Sequence, residues 1–316
     1  MNNNLRACSA LLSSLFLIVF ASCSENYVTT SGNTWGTSYH ITYQGKTALQ
    51  DSIIQVLKHI DTELSMFNSS STVSRINRGE LSSVTPDFKA VFDLALKVNI
   101  ASGGRFDPTV APLVDLWGFG KRDIRHTPLN AEVEEVLPSV GIADCHIDSC
   151  GTLVKKNKNT EFDFSSIAKG FGIDCVGAML ERNGVDNYMV EIGGEVLVRG
   201  YNPNGLPWHI QIDSPYQSQN MLHSRLSIIE LGPEQTAVAT SGNYRNYRQD
   251  EDGNRYGHTI SPITGYPADT KILSVTIEAP SCALADALAT ACMMMDSTEI
   301  SSMVSPFGAR ALVVVE

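Results

Sequence analysis

Asp286 and Thr290 lie four residues apart in the segment Ala285-Asp286-Ala287-Leu288-Ala289-Thr290. On a helix that spacing puts a carboxylate and a hydroxyl on one face, about one turn apart. Their neighbours are Ala, Leu, Met and Cys, so two oxygen donors stand together in an apolar setting. Such a pair suits a hard cation such as Mg²⁺, which keeps waters and ligand phosphates in its shell. A helix-start Asp with a Thr bonded back to its own backbone gives the same pattern without a metal.

Three other segments carry groups able to do chemistry. Asp163-Phe164-Ser165-Ser166-Ile167-Ala168-Lys169-Gly170-Phe171-Gly172 is a polar loop entering a helix. Helix-start N–H groups with a lysine one turn in form a site for a phosphate anion. Neither GxxxxGK[ST] nor GxGxxG is present, and a capped helix with a solvated lysine is the structural alternative. In Gly104-Arg105-Phe106-Asp107-Pro108-Thr109, Gly, Pro and a carboxylate make a rigid turn. That turn either presents Asp107 to a ligand or uses it as a cap. The last segment is Ala239-Thr240-Ser241-Gly242-Asn243-Tyr244-Arg245, followed by His258-Thr259-Ile260-Ser261-Pro262. Ser241 lacks the Gly-x-Ser-x-Gly setting of a serine hydrolase. His258 is a candidate base, with a structural histidine as the alternative.

The elements that must hold these groups are legible from periodicity. Ile53, Ile54, Leu57, Ile60 and Leu64 recur at helical spacing. Thr85-Pro86 opens a second helix that Gly103-Gly104 closes. A third is expected over residues 167–182 and a last one over 281–295. Short strands are expected at 188–192, 195–199, 208–212, 226–231, 237–240, 272–278 and 311–315, separated by Gly, Pro and Asn turns. The expected fold class is α+β, with mixed or antiparallel sheets packed with helices in a single large domain over residues 32–316.

The chain of 316 residues has 23 Lys plus Arg against 34 Asp plus Glu, a net charge of −11. Without a basic run, that balance argues against general nucleic-acid binding. Residues 1–22 read as a lipoprotein signal: Arg6, an apolar run too short to span a bilayer, then Ala21-Ser22 before Cys23. Cys23 is the expected lipidation site and residues 23–31 the expected tether. Cys175, Cys282 and Cys292 sit in apolar helical patterns as core residues. Cys145 and Cys150 flank a hairpin and are able to pair.

These segments, taken together and in order, resemble the FAD:protein FMN transferase family (ApbE-type), exported bacterial enzymes often anchored as lipoproteins. Trp35-Gly36-Thr37, placed in the first strand, Leu64-Ser65-Met66-Phe67, Ser74-Arg75-Ile76-Asn77, Leu113 to Gly120, Glu191-Ile192-Gly193-Gly194-Glu195 and Pro207-Trp208 extend the match. The resemblance implies FAD as substrate, Mg²⁺ as cofactor, and FMN transfer to a threonine hydroxyl of an acceptor protein with AMP leaving. It implies an FAD site of Trp35, Phe67, Arg105, Phe106, Asp107, Asp163, Lys169 and Ile260. Asp286, Thr290 and the Ser166 carbonyl would hold the metal, and His258 would act near the attacking hydroxyl. The implied acceptor is a subunit of a membrane redox complex, with the enzyme facing the periplasm. An FAD pyrophosphatase releasing FMN and AMP, and a non-catalytic flavin-binding lipoprotein, are the alternatives. Two positions depart from the family: Ser261 replaces a common carboxylate, and Ala289 stands where some relatives carry an acid.

Overall fold

Trp35 and Gly36 both adopt positive φ, 49° and 77°, as a two-residue turn between tightly paired strands requires. They join β1 (Tyr27–Thr34) to β2 (Thr37–Gln44) in the computed structural model. It describes residues 26–120, 126–216, 225–243, 247–249 and 255–316. Trp35-Gly36 is therefore a turn rather than part of the first strand. The expected tether likewise stops short, because residues 27–31 belong to β1. The Thr- and Ser-rich sequence of this edge strand lacks the apolar alternation that marks a strand. The signal segment, Cys23, Tyr244 and Arg245 lie outside the described residues.

Helix α1 (Gln50–Leu64) buries Ile53, Leu57, Ile60 and Leu64, the row its spacing announces. After the short α2 (Thr72–Asn77), Thr85 caps α3 (Pro86–Ala101) by accepting from Phe88 N at 3.2 Å. Short helices α4 (Ala111–Leu116) and α5 (Asn130–Val136) precede a small hairpin of β3 (Cys145–Ile147) and β4 (Leu153–Lys155). Cys145 is buried, Cys150 is exposed, and both are free thiols, so the pairing open to them is not formed. Helix α6 (Ala168–Arg182) then leads into β5 (Tyr188–Ile192) and β6 (Glu195–Arg199).

The remaining strands are β7 (Trp208–Asp213), β8 (Arg225–Leu231), β9 (Thr236–Gly242), β10 (Tyr247–Gln249), β11 (Arg255–Gly257) and β12 (Ile272–Ala279). Helices α7 (Cys282–Cys292) and α8 (Ser297–Val304) and strand β13 (Arg310–Val315) complete the chain. Seven strands form one sheet in the order β1-β2-β5-β6-β9-β12-β13, each pair antiparallel. The α+β expectation and the single domain are borne out.

Alternation along β6 and β9 sorts the two faces of the sheet. Leu197, Ala237 and Ala239 join the main core with α1, α3, α6 and α7. Val196, Val198 and Val238 point the other way, onto Trp208, Ile212 and Leu231 of the β7–β8 ribbon. A third, smaller cluster holds Leu113, Trp117, Val133 and Ile260. It is tied by Trp117 Nε1 donating to the Gly265 carbonyl at 2.7 Å.

Candidate active site

Helices α6 and α7 approach so closely that a Cβ on Gly170 would lie 2.3 Å from the Cys282 carbonyl oxygen. Only glycine permits that contact, and it brings the start of α6 against the first turn of α7. Asp174, on α6, caps α7 by accepting from Cys282 N (2.7 Å) and Ala283 N (2.9 Å). Burial pushes its carboxyl up to about 6 against the lowering effect of those two N–H groups. One turn on, Asp286 is 5% exposed and accepts from Gly170 N at 3.2 Å.

Gly170 therefore sends its N–H to Asp286. Among the described residues no backbone N–H reaches the Ser166 carbonyl four positions earlier. Thr290, one turn beyond Asp286, has its hydroxyl 3.3 Å from Ser241 Oγ. A free carbonyl, a buried carboxylate and a hydroxyl are the oxygen donors that a hard cation takes. No cluster of three or more His, Cys, Asp or Glu suited to a metal exists among the described residues. Any cation here would rest on one carboxylate plus neutral oxygens and water, so the donor set fits Mg²⁺ better than Zn²⁺.

Lys169 lies between this group and open space. Its Nζ is paired with Glu195 Oε1, and the residue lines a cleft of about 820 Å³. Burial alone would lower the ammonium, but Asp286 and Glu195 together hold it above its ordinary value. Asp286 is raised by burial, with Lys169 and the Gly170 N–H opposing. The other walls of the cleft include Trp35, Ile60, Met66, Phe67 and Ser165. The Trp35 indole is fixed by Nε1 donating to the Leu57 carbonyl at 3.2 Å, and a Cβ on Gly172 would meet its ring at 2.3 Å. Phe67 stands at the rim with 75% of its surface exposed. Two aromatic walls and an inner cation are a place for a flat ring joined to an anion.

The other residues expected at this site fall into three groups. Asp163 is held beside it: Oδ1 accepts from Ser165 N (2.8 Å) and Ser165 Oγ (2.5 Å), and its own N–H donates to the Pro108 carbonyl at 2.6 Å. That bond ties the Arg105–Thr109 turn to the loop before α6. The turn's own side chains face inward or sideways. Phe106 is buried in the main core, and Arg105 donates to the Ser102 carbonyl and pairs with Glu299 at 3.5 Å. Asp107 is filled by protein donors: Thr109 N and Oγ1, Ile142 N and Asn99 Nδ2. Ile260 is buried in the third cluster, so it is absent from the cleft lining. His258 is half-buried, its ring edge-on to Phe119 at 6.3 Å.

Glu195, Asp174 and Ser241 reach this site although sequence spacing assigned them no role there. The signal was available for the two acids. Each is a lone carboxylate in an apolar run, Glu195-Val196-Leu197-Val198 and Gly172-Ile173-Asp174-Cys175-Val176.

Residues 35–313 match the model of the ApbE family. The chain belongs to the ApbE family. It is 38% identical over 296 residues to the FAD:protein FMN transferase of Vibrio cholerae, covering 90% of this chain and 86% of that one. The corresponding Haemophilus influenzae protein is 33% identical over 299 residues, covering 89% and 85%. Among solved structures, the flavin transferase ApbE from Vibrio cholerae superposes with a TM-score of 0.81 at 34% identity, covering 92% of this chain and 94% of that chain. The ApbE-type resemblance read from the ordered motifs is thereby borne out, as is the fold it implied.

Proposed function

We propose that this chain is a Mg²⁺-dependent FAD:protein FMN transferase that joins FMN through a phosphoester to a threonine of an acceptor protein and releases AMP. The transferase class rests on the ApbE family. The metal and the threonine rest on the site chemistry and on the motif resemblance. The observation that carries the reading is the under-satisfied oxygen group beside Lys169, a residue that lines the cleft. Among the described residues, Asp286 is buried with one hydrogen bond and no backbone N–H reaches the Ser166 carbonyl, while the half-buried Lys169 lines the cleft together with Trp35 and Phe67.

Asp286, Thr290 and the Ser166 carbonyl would hold Mg²⁺, which when bound supplies positive charge against the phosphate oxygens of the pyrophosphate. Trp35 and Phe67 hold the ring system in the cleft, and Lys169 brings a second positive charge to the phosphates. The chain carries a net −11, so its overall field repels a pyrophosphate and the attraction must be local. The nucleophile belongs to the acceptor, which accounts for the lack of an activated serine or cysteine motif. His258 is our candidate for the group that takes the proton of the attacking hydroxyl. The signal pattern of residues 1–22 supports export, a lipid anchor at Cys23 on the periplasmic side, and an acceptor in a membrane redox complex.

Incubating the full chain with FAD, Mg²⁺ and an acceptor bearing the target threonine tests this directly. The expected result is covalent flavin fluorescence on the acceptor, equimolar AMP, and loss of both on chelating the metal. Free FMN and AMP with an unlabelled acceptor would replace transfer by hydrolysis. Unchanged FAD would leave a flavin-binding protein.

A further inference from the structure

Glu195 is the first residue of β6, directly after Gly193 and Gly194 with φ of 63° and 100°. Its side chain is 7% exposed and Oε1 pairs with Lys169 Nζ. Oε2 is buried and, among the described residues, has no hydrogen-bond partner. Leaving a hydrogen bond unmade on a buried charged oxygen is destabilising. A counter-ion for Lys169 needs only one oxygen, so that role leaves Oε2 unexplained. Burial and the neighbouring Asp286 both push the Glu195 carboxyl upward, against Lys169. Glu195 and Asp286 thus act on one small volume, with Lys169 between two acids.

A cation held by one carboxylate, one hydroxyl and one carbonyl keeps several waters, and those waters need acceptors. We propose that Glu195 is a positioning residue of the cation site, with Oε1 fixing Lys169 and Oε2 accepting a hydrogen bond from a water of the cation's shell. This rests on the reading that Asp286 and Thr290 hold the metal. It adds to that reading a second carboxylate that never touches the ion. With both acids ionised and Lys169 charged, the group carries −1, and a divalent cation turns it to +1, the sign a pyrophosphate requires.

The test is Mn²⁺ binding to the full chain in detergent without FAD, read by the loss of the free-ion EPR signal. Thermal unfolding is followed on the same samples. Glu195→Gln should weaken Mn²⁺ binding about 10- to 100-fold, with the unfolding temperature unchanged or higher. Lys169→Met frees the carboxylate and should leave Mn²⁺ binding as tight as wild type or tighter. Wild-type Mn²⁺ affinity in Glu195→Gln would overturn the proposal, as would weaker binding in a folded Lys169→Met. Asp286→Ala separates the two levels. If it keeps wild-type affinity, the metal reading itself fails. If it loses binding while Glu195→Gln keeps it, only the role of Glu195 fails. Should Glu195→Gln not fold, Glu195→Asp carries the same expectation of weakened binding, and Lys169→Met still gives the opposite sign.

Discussion

Two buried aspartates, Asp107 and Asp286, sit at similar depth, 8% and 5% exposed, in opposite electrostatic circumstances. Asp107 accepts from two backbone N–H groups, a hydroxyl and an amide, and so binds the Arg105–Thr109 turn to Ile142 and α3. Asp286 accepts one N–H at 3.2 Å and shares its surroundings with a lysine and a second, half-satisfied carboxylate. Burial raises both carboxyls. A buried acid saturated by its own protein holds a fold together. One left short of donors is built for a partner from outside.

Substitution should separate the two. Asp286→Ala is expected to cost at least ~10³-fold in the rate of flavin transfer, about 4 kcal/mol, at an unchanged or raised unfolding temperature. Calorimetry beside an acceptor-labelling assay checks both halves, and a lowered unfolding temperature with full activity would reverse the contrast. Asp107→Ala should instead cost about 2–4 kcal/mol of stability in urea denaturation, because it strands several buried donors at once.

Asp174 lies between these extremes, since it caps α7 with two N–H bonds yet its carboxyl is raised to about 6. A folded-state value above the unfolded one makes its contribution complete below about pH 4, and that contribution is lost as pH rises through about 6. Asp174→Asn gives up one cap bond but does not titrate. Its stability relative to wild type should therefore improve by on the order of 2–3 kcal/mol from pH 4 to pH 7, measured by urea unfolding across that range. A constant difference would mean that Asp174 does not titrate there.

The smallest effect belongs to the rim. Phe67 is 75% exposed, so Phe67→Ala should change stability by less than about 0.5 kcal/mol. It should weaken FAD binding about 3- to 10-fold through the lost aromatic contact. Flavin fluorescence titration reads this, and unaltered affinity would remove Phe67 from the cleft's function.

Much of this was legible in the sequence because the groups concerned obey local rules. The spacing of Asp286 and Thr290, the Thr85-Pro86 start and the Gly-bounded strands all follow from short-range geometry. Strands β5 and β6 fall at their expected residues. What escaped depends on distant pairing. β1 has only Tyr27 and Val28 as large apolar residues and owes its strand to the pairing with β2 beside it. Glu195 gains its role from a lysine 26 positions earlier in the chain. Asp107 looked equally like a ligand group and a cap, and the N–H of Ile142, arriving from elsewhere in the fold, joins Asn99 on its second oxygen.

The first hairpin also sets a leash. Trp35, a wall of the cleft, closes the turn at one end of β1, and the chain enters that strand at Tyr27. Eight residues of strand span about 26 Å, and the four steps from Cys23 to Tyr27 add at most about 14 Å. A lipid on Cys23 would therefore hold the cleft within roughly 40 Å of the membrane surface. Its acceptors would be selected by height as well as by sequence, with only threonines displayed in that shallow layer within reach.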